Sequence, residues 1–266
     1  ELIAALASRR DVDLKVRVHN DGGVVHTLPF AALQNGGFAA LGQLLKSAWD
    51  MTQPDFATPC LTSEWQLVTT FDLALSRKLS SLDNTAMREG ALERLAAIPA
   101  AVAGVKPATL LELLRGQHGA VSKKLFALVL QHDPTANPLA ESDGTSPLYE
   151  AARSGDIVAV SAIGAWVGRQ PADDVAAALH SLHAEPVAAA VTHADSQVVP
   201  ALLGMLPAPH RERYASTRCS GSAMAAACTK LRVDVVEYLV RAGARVDVLD
   251  EFGESPLSYA LRAMTG

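Results

Sequence analysis

The sequence predicts an all-α protein built as a solenoid of helix-turn-helix repeats, and three observations support this prediction. The 266-residue chain is 49% hydrophobic and 19% charged, and its apolar residues are mainly Ala, Leu and Val, with only 5% aromatics. Ala and Leu favour helices, whereas a β-sandwich or β-barrel would contain more β-branched and aromatic residues. Helix-start motifs, most of them with proline, recur in the C-terminal half. Two of these starts, Ser222 and Ser255, are 33 residues apart, which is a repeat period.

The clearest repeat occupies residues 143–156, with the sequence DGTSPLYEAARSGD. Ser146 is expected to cap a helix by accepting a backbone N–H, and Pro147 at the first helical position gives up only a donor that would be unpaired there. A leucine and two alanines then share the inward face, and Gly155 supplies the left-handed turn that ends the helix. The Val-rich residues after it predict a second helix.

Two later copies follow the same pattern. Residues 222–247 carry SAMAAAC and then VDVVEYLVRAGARVD, which predicts a first helix starting at Ser222 and a second helix. Residues 250–260, DEFGESPLSYA, predict a helix that starts at Ser255.

A weaker copy lies between them, with Glu185-Pro186-Val187 at the helix start. Its second helix is SQVVPALLGML, residues 196–206, in which we expect Pro200 to disturb the helix. The distances between successive starts exceed the regular period here, so inserted residues are expected in two connections.

These runs resemble the ankyrin repeat, whose pattern reads D-x-x-G-x-T-P-L-H-x-A-A-x-x-G-H and is followed by a Val/Leu-rich second helix. The resemblance is clear over residues 141–266, where it implies about four repeats, the last one incomplete. Residues 1–140 are expected to hold degenerate repeats, such as REGALERLAAI at 88–98, and an irregular HEAT-type helical domain remains an alternative for them. Because the chain opens in an outer-helix pattern and ends after an inner-helix pattern, we expect it to be an excerpt of a longer protein.

The resemblance implies a non-catalytic scaffold that binds another protein through hairpin tips and the inner-helix face. Phe252 is the first choice for an anchor, because aromatic residues dominate interface hot spots; packing on a neighbouring hairpin is the alternative for it. The residues that the resemblance places on the binding strip are Ser142, Asp143, Thr145, Arg153, Ser154, Leu182, His193, Arg218, Lys230, Glu251, Phe252, Glu254 and Arg262.

Motifs for catalysis or cofactor binding are not found in the sequence. It contains no Gly-rich phosphate loop, and residues 219–222, CSGS, are interpreted as a structural turn, since the G-x-S-x-G elbow is missing. His180, His183 and His193 lack a fourth ligand in a recognisable zinc pattern and are interpreted as ordinary turn and helix-end residues. We therefore expect no catalytic, cofactor or metal site. Two alternatives stay open: a targeting or substrate-recruiting arm of a larger enzyme or effector, and a structural subunit of a large assembly.

Charge and cysteine usage limit the partners and the location. A net charge of −5 and a pI of about 5.9 argue against nucleic acid as a partner. Three irregularly spaced cysteines favour a reducing compartment, so an intracellular, cytoplasmic location is expected. The apolar runs are also too short to cross a bilayer, and membrane insertion is not expected.

Overall fold

The computed structural model describes residues 18–19, 25–46, 60–61, 67–68, 70–76, 85–116, 121–193, 197–249 and 253–265. These residues are mainly helical, and the prediction of an all-α fold class is confirmed at that level. The chain divides into two units: unit 1 comprises Glu1–Val105 and His118–Ala136, and unit 2 comprises Lys106–Gln117 and Asn137–Gly266.

Unit 1 contains helices and two short antiparallel strand pairs. Strand β1 pairs with β2, and β3 pairs with β4. The helix α1 is interrupted at Gly37, which has a positive φ of 67°. The elements are β1 Val18–His19, β2 Val25–His26, α1 Leu28–Lys46, β3 Cys60–Leu61, β4 Leu67–Val68, α2 Thr70–Ser76, α3 Thr85–Ala96, α4 Pro99–Val102 and α6 Ser122–His132.

The core of unit 1 forms where α3 packs against α1 and α6. Phe30, Phe38 and Phe126 are fully buried there. The side chain of Asp133 is also buried, and its carboxylate accepts hydrogen bonds from the backbone N–H groups of Val105 and Thr135, which satisfies its polar oxygens. Within residues 88–98, assigned to a degenerate repeat, positions 88–96 are the continuation of α3, which begins at Thr85 and ends at Ala96.

Unit 2 is mainly helical in its described residues. Its helices are α5 Pro107–Leu114, α7 Pro147–Ser154, α8 Ile157–Val167, α9 Ala172–Ser181, α10 Pro186–His193, α11 Val198–Gly204, α12 Ala208–Tyr214, α13 Met224–Thr229, α14 Val233–Arg241 and α15 Pro256–Thr265, with a π-helical segment, Ala215–Ala223, between α12 and α13.

A tight turn leads into α7. Asp143 and Gly144 have φ values of 53° and 73°, as a type I′ turn requires, and Asp-Gly is a preferred pair for that turn. The flanking residues exchange two backbone hydrogen bonds, from Ser142 N to Thr145 O at 2.9 Å and from Thr145 N to Ser142 O at 3.1 Å. The short hairpin expected before the first helix is thus present.

The predicted limits of α7 are confirmed. Ser146 Oγ accepts a hydrogen bond from the N–H of Tyr149 at 3.1 Å, and Pro147 is the first helical residue. Gly155 ends the helix with a φ of 71°. Asp156 then caps the second helix, α8, by accepting from two backbone N–H groups.

Two further helix starts are confirmed. The Glu185 carboxylate caps α10 by accepting from the N–H groups of Val187, at 3.0 Å, and Ala188. Ser255 Oγ caps α15 by accepting from the N–H of Ser258 at 3.2 Å. A glutamate can therefore cap a helix whose first residue is proline.

The prediction that a helix starts at Ser222 is wrong. Helix α12, the π-helical segment and α13 form one continuous helical run through that position, so residues 219–222 are helical and not a turn. Ala223, Met224 and Ala225 after position 222 favour continuation of a helix, and no proline follows to enforce a start. Pro200 does not disturb α11 either, because that helix begins at Val198 and the proline lies in its first turn, where an N–H is not needed.

The helices of unit 2 contact one another in a regular order. Among the first helices of each pair, α7 packs against α10, α10 against α13, and α13 against α15. Each of α7, α10 and α13 also packs against the helix that follows it, and the second helices α8 and α11 contact each other. Alanines on α7 and α10 are fully buried at these contacts, which lets the helices approach closely.

Candidate functional site

The candidate site consists of exposed side chains in the last turns of α7, α10, α13 and α15, which we call the helix-end row. These four helices are the ones that pack in succession, so each contributes polar groups at the same point of its length. The members of the row are Arg153, Ser154, Thr192, His193, Thr229, Lys230 and Arg262, and all of them are exposed.

Two arginines of the row are held by ion pairs. Arg153 Nη2 lies 2.6 Å from Oε1 of the buried Glu150, and this carboxylate raises the pKa of the guanidinium. Arg262 Nη2 lies 2.6 Å from Glu254 Oε1. Cations in the last turn of a helix also interact favourably with the negative end of its dipole. The row therefore presents fixed positive groups together with hydroxyl groups.

The hairpin tip lies before α7. Asp143 is exposed, and Ser142 and Thr145 are half-buried. Next to the hairpin, the Glu141 carboxylate accepts from the backbone N–H of His183 at 2.8 Å and lies 2.6 Å from His183 Nδ1. These hydrogen bonds lower the pKa of Glu141, and they fix the base of the hairpin to the connection between α9 and α10.

Two predicted binding residues do not face solvent as expected. Leu182 is buried, and its carbonyl accepts a hydrogen bond from the guanidinium of Arg218 at 2.5 Å. Arg218 is half-buried in the π-helical segment and not at a hairpin tip, because the helix continues through the position where a hairpin was expected. Glu254 is half-buried, and Glu251 and Phe252 lie outside the described residues.

A partly buried polar cluster lies in this part of unit 2, and the sequence did not predict it. Tyr214 donates its hydroxyl hydrogen to Glu185 Oε1 at 2.7 Å, and the Tyr214 ring meets the His180 ring edge-on with centroids 5.4 Å apart. Arg218 is close enough to lower the pKa of Glu185, but burial has the larger effect and raises that pKa overall. The cluster thus joins the cap of α10 to the end of α12.

Burial also determines the protonation state of Cys219, which belongs to this cluster. Cys219 is fully buried, and burial raises the pKa of its thiol, followed in effect by the nearby Glu185 carboxylate. A thiol with a raised pKa stays protonated and is a poor nucleophile. The arrangement supports a structural role for Cys219, because the thiolate is the reactive form.

An open groove of about 460 Å³ lies between α12 and the end of α14. Arg211, Tyr238 and Arg241 line it, and Gly243 forms part of its wall with a φ of 105°. A Cβ atom at Gly243 would lie 2.8 Å from Cγ of Glu212, so the backbone and the side chain approach closely at this point.

Comparison with known proteins does not assign a family. No protein-family pattern and no curated protein matches this chain. In the described part of the chain, no helix has the length and apolar character needed to cross a membrane. The described residues also contain no group of three His, Cys, Asp or Glu side chains that could hold a metal ion.

Proposed function

We propose that this chain is an ankyrin-type repeat protein whose residues 141–266 bind another protein through the helix-end row and the adjoining hairpin tip. The observation that carries the proposal is the succession of α7, α10, α13 and α15, each packed on the next and each ending in exposed polar side chains. Repeat stacks of this kind use such successive positions as one continuous binding surface.

Local geometry supports the repeat assignment. The capped starts at Ser146, Glu185 and Ser255, and the Asp143-Gly144 turn before α7, follow the ankyrin pattern. Helix α10 with α11 forms a pair like α7 with α8. The extra residues between repeats form α9 and the π-helical segment, so the insertions are helical elements rather than loops.

The chemistry of the row indicates the kind of surface that it recognises. His193, Lys230 and the ion-paired Arg153 present hydrogen-bond donors. The hydroxyls of Thr192 and Thr229 donate to carbonyls of their own helices, so their oxygens are available as acceptors. Charge-assisted hydrogen bonds to carboxylates are stronger than neutral ones. A partner with acidic side chains and exposed carbonyl groups fits this surface best.

Affinity capture followed by mass spectrometry would identify the partner, and calorimetric titration would then compare two charge reversals. Lys230→Glu changes the row, whereas Arg213→Glu makes the same change of charge at an exposed position of α12 outside it. We expect Lys230→Glu to weaken binding roughly tenfold, which corresponds to about 1.4 kcal/mol. Arg213→Glu should leave the affinity within twofold. Equal effects of the two variants, or none from Lys230→Glu, would exclude the row as the binding surface.

A further inference from the structure

The groove between α12 and α14 lies where two second helices of unit 2 are separated. Helices α8 and α11 pack against each other, whereas α14 packs mainly against α13 and makes no comparable contact with α11. The groove of about 460 Å³ opens in this gap, beside α12. Helix α13 packs against α10 and against α15, which have no comparable contact with each other, so α15 lies on the far side of α13 from α10. The groove is therefore between two packed helix pairs and not at the end of the stack.

Arg211 is a cation of this groove that is fixed in place but not neutralised. It is half-buried, and its Nε and Nη2 atoms donate to the carbonyl of Leu206 at 3.3 and 3.0 Å. Within the described part of the chain, no carboxylate lies at ion-pair distance from Arg211. The outer edge of the guanidinium, with a parallel pair of N–H groups, stays available for a carboxylate. An anionic ligand would thus supply the counter-ion that this half-buried cation lacks.

The other polar side chains of the groove suit a peptide. Arg241 adds a second guanidinium, which Glu237 partly neutralises at 2.7 Å. The hydroxyl of Tyr238 forms no hydrogen bond with another described residue, and Glu212 brings one carboxylate to the lining. The groove therefore offers several donors to an anion or a carbonyl group and one acceptor to an N–H group. An acidic side chain on a peptide backbone can satisfy both kinds of group.

A smaller space of about 250 Å³ adjoins the groove at Tyr238, whose side chain lines both. We call it the apolar hollow, because Val199, Pro200 and Val235 form most of its wall. Asp234, at the start of α14, also lines it and lies about 10 Å along the helix from Arg241. An extended chain of about three residues covers this length. One extended segment can therefore reach both the hollow and the guanidinium groups.

We propose that the groove binds an extended peptide segment of another protein, with an Asp or Glu side chain at Arg211 and a small apolar side chain in the apolar hollow, two or three positions away. The carboxylate neutralises Arg211, and the apolar contact with Tyr238 adds hydrophobic burial. None of the residues of the helix-end row lines the groove or the hollow. The proposal is thus independent of the function proposed for that row.

A library of random dodecapeptides displayed on phage, selected on the purified chain, supplies the probes, and fluorescence anisotropy of the enriched peptides measures their affinity. The enriched peptides are expected to share an Asp or Glu with a small apolar residue close to it. Changing this acid to Asn or Gln should raise the dissociation constant about tenfold or more, and so should Arg211→Gln. Both changes together should weaken binding little more than either alone, because they remove the same contact.

Arg213→Gln is the matched control, because it makes the same change on α12 at an exposed residue that does not line the groove. It should leave the dissociation constant within twofold. Arg241→Gln is a second variant at an exposed position, where the fold is not at risk, and it should weaken binding about threefold. Far-UV circular dichroism checks that each variant is folded.

Four results would overturn the proposal. They are a library that yields no binding peptide, enriched peptides without a shared acidic residue, additive effects of the peptide change and Arg211→Gln, and an equal loss of affinity in Arg213→Gln. A loss of affinity in Lys230→Glu would overturn it as well, since the peptides would then be bound at the helix-end row.

Discussion

Replacing Glu185 with Ala should destabilise unit 2 more than the loss of an ordinary helix cap. In the wild-type chain the carboxylate accepts hydrogen bonds from the N–H groups of Val187 and Ala188 and from the hydroxyl of Tyr214. The substitution removes the cap of α10 and leaves the buried Tyr214 hydroxyl without this acceptor. Ser146→Ala is the comparison, because it removes a cap that accepts one N–H.

The magnitude follows from these contacts. Loss of a cap costs about 1 kcal/mol, and Ser146→Ala should cost that amount. An unsatisfied buried hydroxyl costs about 1–3 kcal/mol more in Glu185→Ala. Removing this carboxylate recovers part of this cost, since desolvation raises the pKa of Glu185 and so disfavours its charged form. The net loss of unfolding free energy is therefore expected to be about 2 kcal/mol.

The assay is equilibrium urea unfolding followed by the fluorescence of Trp166, which lies in α8 of unit 2. Trp49 and Trp65 are outside unit 2, and replacing both with Phe in all variants restricts the signal to this unit. Tyr214→Phe should cost little in the Glu185→Ala background, because its hydroxyl no longer has this acceptor. If Glu185→Ala lowers the free energy of unfolding no more than Ser146→Ala does, then Glu185 does not act both as the cap of α10 and as the acceptor for Tyr214.

The remaining predictions concern pH and a glycine. Burial raises the pKa of Glu185, so its contribution to stability is full below the pKa of the unfolded chain and is lost as the pH rises through the raised folded value. Urea midpoints measured against pH should show this loss in the wild type and not in Glu185→Gln; parallel curves would contradict it. Gly243→Ala should lower the free energy of unfolding by about 2 kcal/mol. The new Cβ atom would be strained by the left-handed backbone and would also lie too close to Glu212. Gly253→Ala, with a φ of 75° and open space around it, should cost about 1 kcal/mol in the same unfolding assay, and equal losses would argue against a steric contribution at Gly243.

Local sequence signals predicted those parts of the fold that depend on local interactions. The Asp143-Gly144 turn, the cap at Ser146 and the glycine end of α7 each require particular residues at particular backbone positions, and the structure has all of them. The start at Glu185 was also found, because Pro186 marks the first helical position even when the cap residue is unusual.

The predictions that are wrong concern positions whose structure depends on tertiary packing. Ser222 matched a cap by its spacing alone, but no proline followed it, and Ser220 stabilises the helical run by donating to the carbonyl of Ser216 and accepting from the N–H of Arg245. The ankyrin pattern predicts an exposed hairpin at Leu182, whereas this residue directly follows the end of α9 at Ser181 and is buried.

The polar cluster could not have been found in the sequence, because its members, which include Cys219, are separated by up to 39 positions. His180, Glu185, Tyr214 and Arg218 each fit an ordinary position of a helical repeat. Their proximity depends on the contact of α10 with the π-helical segment and of α9 with α12, which is a property of the tertiary fold. The only local sign of it was a glutamate at the residue before Pro186, where the ankyrin pattern has threonine.

The π-helical segment, Ala215–Ala223, gives unit 2 a way to absorb a change in chain length inside a helix. A π-helix has wider turns than an α-helix, so the same helix length contains more residues. The loss of a residue here could be accommodated by tightening these turns, while α12 and α13 keep their neighbours. Variants of this sequence could thus gain or lose a residue inside the helix, where most proteins tolerate neither insertion nor deletion.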